Sequence, residues 1–262
     1  VNYYNEIDPY CAQWLRNLID AGHIPFGFVD TRSIEDVTPH DLDGFTQCHF
    51  FAGIGGWSLA LRLASVPDDA QLWTGSCPCQ PFSAAGKGAG FADERHLWPA
   101  FFHLISQCKP AILFGEQVAA KAVDAWIDLV HADLESVGYA FGSVPFPSAS
   151  VGAPHIRDRN YWCASDANQS RLPWAVQSQT VGNSEIALAW RSIERIHAEG
   201  AWPTWVSKSG VGALADGVPN RMGRLRAYGN AINPHQAAEF ISAALDNTVN
   251  SADSSADPKT HE

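Results

Sequence analysis

Phe50-Phe51-Ala52-Gly53-Ile54-Gly55-Gly56 decides the fold. It carries an apolar, strand-like run (46–52) through a glycine turn into a run with helical apolar spacing (57–63). Glycines let a backbone turn sharply and approach a ligand closely, and the helix start that follows favours a negative group. The alternation spreads outwards in both directions. Residues 72–75 predict the next strand, 96–107 an amphipathic helix and 111–115 a buried strand. A long helix is predicted at 119–137, strands at 139–144 and 160–164, and a final helix at 231–245. Before the glycine turn, 3–7 and 28–30 predict short strands around a helix at 9–20, where Cys11, Trp14, Leu15 and Leu18 share a face. Helices alternating with short apolar strands specify a doubly wound, mainly parallel α/β sheet.

The 262 residues suffice for one such domain plus a small lobe, and a hydrophobic content of 46% supplies a core. From 165 to about 205 the composition shifts to Ser, Gln, Asn and Trp, which marks the lobe or a long insertion. Residues 247–262 are polar, lack aromatics and are expected to be disordered. Cys11, Cys48, Cys77, Cys79, Cys108 and Cys163 form no metal-ligand or disulfide framework, so a reducing, cytoplasmic setting is expected. No apolar run approaches a membrane span and no signal peptide is visible. The net charge of −11 counts mildly against a nucleic-acid partner. A basic cleft on an acidic protein remains open, with Arg157, Arg159, Arg221, Arg224 and Arg226 in two short segments to line it.

One loop carries a distinctive chemistry: Gly75-Ser76-Cys77-Pro78-Cys79-Gln80-Pro81-Phe82-Ser83. Pro78 keeps the chain extended before Cys79, and Pro81 stops a helix from starting. The result is a stiff loop at a strand end, presenting one thiol where open α/β sheets bind ligands. The segment resembles the Pro-Cys-Gln loop of the DNA cytosine-5 methyltransferases. Four further stretches resemble motifs of that family: the glycine turn; Phe114-Gly115-Glu116-Gln117-Val118, with Gln117 where the family has Asn; Gly152-Ala153-Pro154-His155-Ile156-Arg157-Asp158-Arg159, with His155 where it has Gln; and Arg221-Met222-Gly223-Arg224-Leu225-Arg226-Ala227-Tyr228-Gly229-Asn230-Ala231-Ile232-Asn233-Pro234, which resembles the family's last two motifs.

The resemblance implies a Rossmann-like methyltransferase sheet and a flipped cytosine attacked at C6 by Cys79. It implies that Glu116 bonds the cytosine at N3 and its amine, that Arg159 contacts O2, and that Arg157 supports the nucleotide or its phosphate. Arg157 and Arg159 alternate and are expected to point to one side of an extended backbone. The implied cofactor is S-adenosylmethionine, cradled by Phe51, Ala52, Gly53, Gly55 and Gly56, with Pro78, Asn230 and Ala231 completing the pocket. The family's ribose- and adenine-binding strands usually follow the glycine turn, but too few residues lie between that turn and Cys79. Their counterparts stand at the start of the chain: Glu6 and Ile7 in Asn5-Glu6-Ile7-Asp8-Pro9-Tyr10, and Asp30 and Thr31 in Val29-Asp30-Thr31-Arg32-Ser33.

The motif order is therefore shuffled. If the family's sheet order is kept, the helix after Gly56 joins the first family strand directly to the fourth. A right-handed crossover then puts that helix on the face opposite its usual one; sequence leaves the choice open. The implied organisation is a catalytic and cofactor-binding domain (1–164), a target-recognition lobe (165–220), a returning segment (221–246) and the tail (247–262). The implied partner is double-stranded DNA, met by a monomer in a bacterial or phage-infected cytoplasm. The small lobe leaves RNA or a nucleotide open as substrate, and the shuffled order leaves a non-catalytic DNA-binding subunit open.

Overall fold

The computed structural model describes residues 1–78, 97–153, 155–167 and 230–253. Its strands are β1 (Asn2–Asn5), β2 (Gly27–Asp30), β3 (Gln47–Phe50), β4 (Leu72–Gly75), β5 (Ile112–Val118), β6 (Tyr139–Pro147) and β7 (Asp158–Asp166). Its α-helices are α1 (Pro9–Asp20), α2 (Gly56–Leu63), α3 (Trp98–Cys108), α4 (Asp124–Ser136) and α5 (Pro234–Asp253). The strands form one sheet in the order β2-β1-β3-β4-β5-β7-β6, parallel except for β7, which runs antiparallel to both neighbours. The doubly wound, mainly parallel sheet expected from the sequence is therefore present. So is the expected order of its first four positions: the two N-terminal strands lie outside β3, and β4 lies inside it.

Alternation along each strand divides the core into two layers. On one face Tyr3, Phe50, Trp73, Leu113 and Trp162 pack beneath α3, α4 and a 3-10 turn at Ile34–Asp36. On the other, Tyr4, Leu72, Ile112, Phe114 and Tyr161 pack beneath α1, α2 and α5. Local signals set the helix starts. Asp8 accepts from the amides of Tyr10 and Cys11 and caps α1, whose first residue is Pro9. Asn233 caps α5 in the same way through the amides of His235 and Gln236. That cap is why α5 begins at Pro234 rather than at 231. It also continues to Asp253, past the expected end at 245, so residues 247–253 are helical rather than part of a disordered tail.

The layer assignment settles the helix after Gly56. The β1-to-β2 step moves towards one edge of the sheet with α1 on one face. The β4-to-β5 step moves towards the other edge with α3 on the opposite face, which gives both connections the same hand. The β3-to-β4 step moves as β4-to-β5 does, yet α2 lies on the face of α1 and α5. Its hand is therefore opposite, a left-handed crossover in a class where right-handed ones are about 98% of cases. Packing outweighs the connection rule here. Trp57, Ala60 and Leu61 bury against Ile232, Ala237 and Ile241 of the α5 segment, and that interface fixes α2.

Other expected boundaries move as well: β6 runs on to Pro147, and β7 spans Asp158–Asp166 rather than 160–164. The helix expected from 119 begins only at Asp124, after a 3-10 turn at Lys121–Val123. The strand expected to end at Gly115 runs on to Val118. Gly115 is no terminator: a Cβ there would lie 2.0 Å from Trp162 Cε2, so glycine is what lets the indole lie across the strand.

Candidate functional site

Six parallel strands end on one edge of the sheet, and antiparallel β7 starts there. In open α/β sheets that edge is the ligand-binding side. At the end of β1, the Glu6 carboxylate accepts from the amide of Asp8 at 2.8 Å and from that of Gly53 at 2.7 Å. The second contact joins the N-terminal strand to a glycine turn 47 positions away. Burial pushes the Glu6 carboxyl above its ordinary pKa, and the two amides oppose that rise. Ile7 beside it is 64% exposed.

At the end of β2, Asp30 is buried and accepts from Tyr3 Oη at 2.8 Å, from the Arg32 amide at 2.9 Å and from Arg32 Nη2 at 2.7 Å. Burial alone would raise its carboxyl, but the Arg32 contacts and Tyr3 hold it below the usual carboxylate range. Arg32 also pairs with Asp41 at 3.2 Å, and Thr31 is exposed. After β3, Phe51 takes a positive φ of 52° with its ring edge-on to Phe101, and the Ala52 amide bonds the Asn5 carbonyl at 3.0 Å. Gly55, at φ 81°, is the residue before α2, a left-handed conformation that glycine adopts without strain.

The residues expected to carry the chemistry lie over β4, β5 and β7. Trp57 Nε1 on α2 donates to Ser76 Oγ at 3.0 Å. Cys77 is 3% exposed and Pro78 half-buried. Cys79 lies outside the described residues, two positions beyond Cys77. Glu116, on β5, is 7% exposed, and Arg159 Nε stands 2.7 Å from its Oε1. Burial raises the Glu116 pKa, opposed by Arg159, Arg157 and a hydrogen bond with Ser76. A carboxyl held in this way is suited to sharing a proton with a ring nitrogen.

Arg157 departs from the extended backbone expected for it. It precedes β7 with a φ of 35° and donates to the Ala231 carbonyl, while Arg159 turns to Glu116. The two guanidiniums therefore take different partners, although both charges act on Glu116. Asn230 is exposed and Ala231 half-buried, at the start of the segment leading to α5. A groove of about 750 Å³ opens on the helix side of the glycine turn, lined by Trp14, Leu18, Ile54, Gly55, His155, Arg157 and Ile232. Neither Glu6 nor Asp30 lines it.

Sequence reasoning missed three participants. Ser76 and Trp57 are tied to each other, and Gln117 donates to the Cys77 carbonyl. Gln117 had stood out only as a replacement for Asn. Among the described residues no group of three potential metal ligands occurs, and no helix is long and apolar enough to cross a membrane.

Residues 62–199, more than half of the chain, match the family described as C-5 cytosine-specific DNA methylase. The chain belongs to that family. Its curated relatives include the type II methyltransferase M1.ScrFI of Lactococcus lactis subsp. cremoris, 28% identical over 62% of this chain and 45% of that protein. They also include M.HhaI of Haemophilus parahaemolyticus, 24% identical over 48% of this chain and 50% of that protein. The match thus spans about half the length of each relative. Among solved structures, a methyltransferase of Entamoeba histolytica superposes over 64% of this chain and 45% of that one, at 13% identity and a TM-score of 0.44.

The matched range takes in Cys79, Glu116, Arg157 and Arg159. Glu6, Asp30, the glycine turn and Asn230 stand outside the matched range.

Proposed function

We propose that this chain is a DNA cytosine-5 methyltransferase that takes its methyl group from S-adenosylmethionine and uses Cys79 as nucleophile. The observation that carries the reading is buried Glu116, on the strand next to the one that leads into the Cys79 loop, with Arg159 of β7 2.7 Å from its Oε1. A cytosine stacked in a duplex hides both faces of its C5–C6 bond, so the base must leave the stack. The Cys79 thiolate then adds to C6. Glu116 shares a proton with N3 and offsets the negative charge that the addition puts into the ring. Arg159 holds the Glu116 carboxyl in place and leaves further guanidinium donors for O2.

The residues at the ends of β1 to β3 fit a nucleoside-containing cofactor. Each Glu6 oxygen has one amide partner in the structure and can accept another hydrogen bond, from a ribose hydroxyl. A Cβ built on Gly53 meets nothing within 4 Å, so the turn has open space over it, and Ile7 offers an exposed apolar surface. Asp30 fits the adenine amine only by sharing a carboxylate that Tyr3 and Arg32 already engage. When bound, the cofactor supplies the methyl group that C5 receives. Loss of the C5 proton and departure of the Cys79 sulfur from C6 then restore the aromatic ring.

Residues 165–220 are proposed as the target-recognition lobe. Radiolabelled methyl transfer, compared on duplex DNA, RNA and free cytidine nucleotide, tests the reading. Label is expected in duplex DNA; label confined to RNA or nucleotide, or in none, contradicts it.

A further inference from the structure

We infer that Gln117 is a positioning residue that moors the loop carrying Cys79. Its side-chain amide replaces a ladder bond that β4 is too short to make. The inference rests on the reading of Cys79 as nucleophile.

β4 and β5 pair in register from Trp73–Leu113 to Gly75–Gly115, and there β4 stops. β5 continues for three more residues. Side chains then take over from the backbone. Ser76, the residue next in register after Gly75, acts on the Glu116 carboxyl. Gln117, 4% exposed, reaches the residue after that: its Nε2 donates to the Cys77 carbonyl at 2.9 Å. Its Oε1 accepts from the Val118 amide at 2.9 Å. Both ends of the amide are therefore used. Turning it over would set two acceptors against each other at Cys77 and two donors at Val118.

The rest of the loop base is held from other sides. Trp57 grips Ser76 from α2, and the Cys77 side chain is buried in the layer beneath α3 and α4. Pro78 then fixes its own φ. The direction of the chain is thus set up to the residue before Cys79. The length of Gln matters because β4 and β5 are no longer paired here. An Asn amide would fall short by about 1.5 Å, one carbon–carbon bond.

The test uses the full chain with Gln117→Glu and Gln117→Asn. The first keeps the shape and the acceptor for Val118 but faces the Cys77 carbonyl with a carboxylate oxygen; the second shortens the reach. Two readouts are taken. Alkylation by iodoacetamide is followed peptide by peptide, with buried Cys48 on β3 as internal control. Covalent trapping on duplex DNA containing 5-fluorocytosine is followed in single turnover. In both variants Cys77 labelling is expected to quicken about tenfold or more while Cys48 stays protected. Trapping is expected to slow by a similar factor with apparent DNA affinity within about twofold. For Gln117→Glu, trapping relative to the unmodified protein should recover between about pH 8 and about pH 6, as a protonated carboxyl regains a donor for Cys77.

Unchanged Cys77 labelling, or Cys48 labelled in step with it, overturns the inference. So does unchanged trapping beside faster Cys77 labelling, since the loop would then move without consequence for Cys79. If the unmodified protein traps no DNA, the methyl-transfer reading fails on its own, and Cys77 labelling still decides whether Gln117 moors the loop.

Discussion

Glu6→Gln is expected to weaken S-adenosylmethionine binding by about 1.5–3 kcal/mol, roughly 10- to 150-fold in Kd. The magnitude follows from counting acceptors. The Glu6 carboxylate spends one position on the Asp8 amide and one on the Gly53 amide, and keeps one on each oxygen for the ribose. A Gln side chain has a single carbonyl oxygen, and its NH₂ accepts nothing. One backbone amide loses its partner, and at least one ribose hydroxyl loses a bond to an ionised group. The two proteins should also differ in pH response. Burial raises the Glu6 pKa, so affinity of the unmodified protein falls on acidification earlier than an ordinary carboxylate would dictate. The Gln variant lacks that titration.

Stability moves the other way. Between the unfolded and the raised folded pKa of Glu6 the folded state binds the extra proton, so this group's contribution to stability is lost as pH rises through that window. Replacing it with Gln removes that loss, which offsets part of the cost of the unpaired amide. Calorimetric titration with S-adenosylmethionine, alongside urea unfolding of both proteins, separates affinity from folding. A Kd within about twofold of the unmodified protein at about pH 7, or the same pH slope in both, would refute the assignment of the N-terminal strand to the cofactor site.

Further outcomes are expected elsewhere. Glu116→Gln should lower the single-turnover methyl-transfer rate by about 10²-fold or more while DNA binding in a gel-shift assay holds, because the amide cannot share a proton with N3; a rate within about threefold argues against that role. Gly115→Ala should destabilise the fold by about 3 kcal/mol or more, since its Cβ would meet Trp162 at 2.0 Å; a denaturation midpoint that does not move contradicts this packing. His49, fully buried with its imidazole pushed down to about 3, should make the protein acid-labile. The unfolded chain takes up a proton near pH 6.5 that the folded one refuses, so stability should fall by up to about 1.4 kcal/mol per pH unit below about pH 6. His49→Gln should flatten that slope in urea titrations, and an unchanged slope would assign it to other groups.

Much of the sheet is legible because its signals are local. Residues 72–75 read as a strand and are one, and the helical spacing of Cys11, Trp14, Leu15 and Leu18 announces α1. The shuffled order of Glu6 and Asp30 also transfers to the observed strand order. What escaped depends on contacts between distant residues. The face of α2 is set by its packing against α5, which no local rule reports, and the general rule points the other way. Gly115 reads as a strand end until Trp162, paired with it from β7, shows why a glycine is needed in mid-strand. Arg157 and Arg159 read as an alternating pair, but the positive φ of Arg157 sends its side chain to Ala231. The start of α4 was misplaced because 119–123 contains no capping residue, whereas Asp124 brings the first favourable charge for a helix start. The residue expected to perform the chemistry, Cys79, is legible only through its proline-flanked loop and its family.

The most direct test of the account is to incubate the protein with S-adenosylmethionine and duplex DNA carrying 5-fluorocytosine, then map the adduct by mass spectrometry. Fluorine at C5 cannot leave as a proton does, so the sulfur that attacked C6 stays attached. The account predicts a covalent adduct on Cys79, formed after methyl transfer and lost in Cys79→Ser but retained in Cys77→Ser. An adduct on Cys77, or ordinary cytosine methylation by the Cys79→Ser protein, would contradict it.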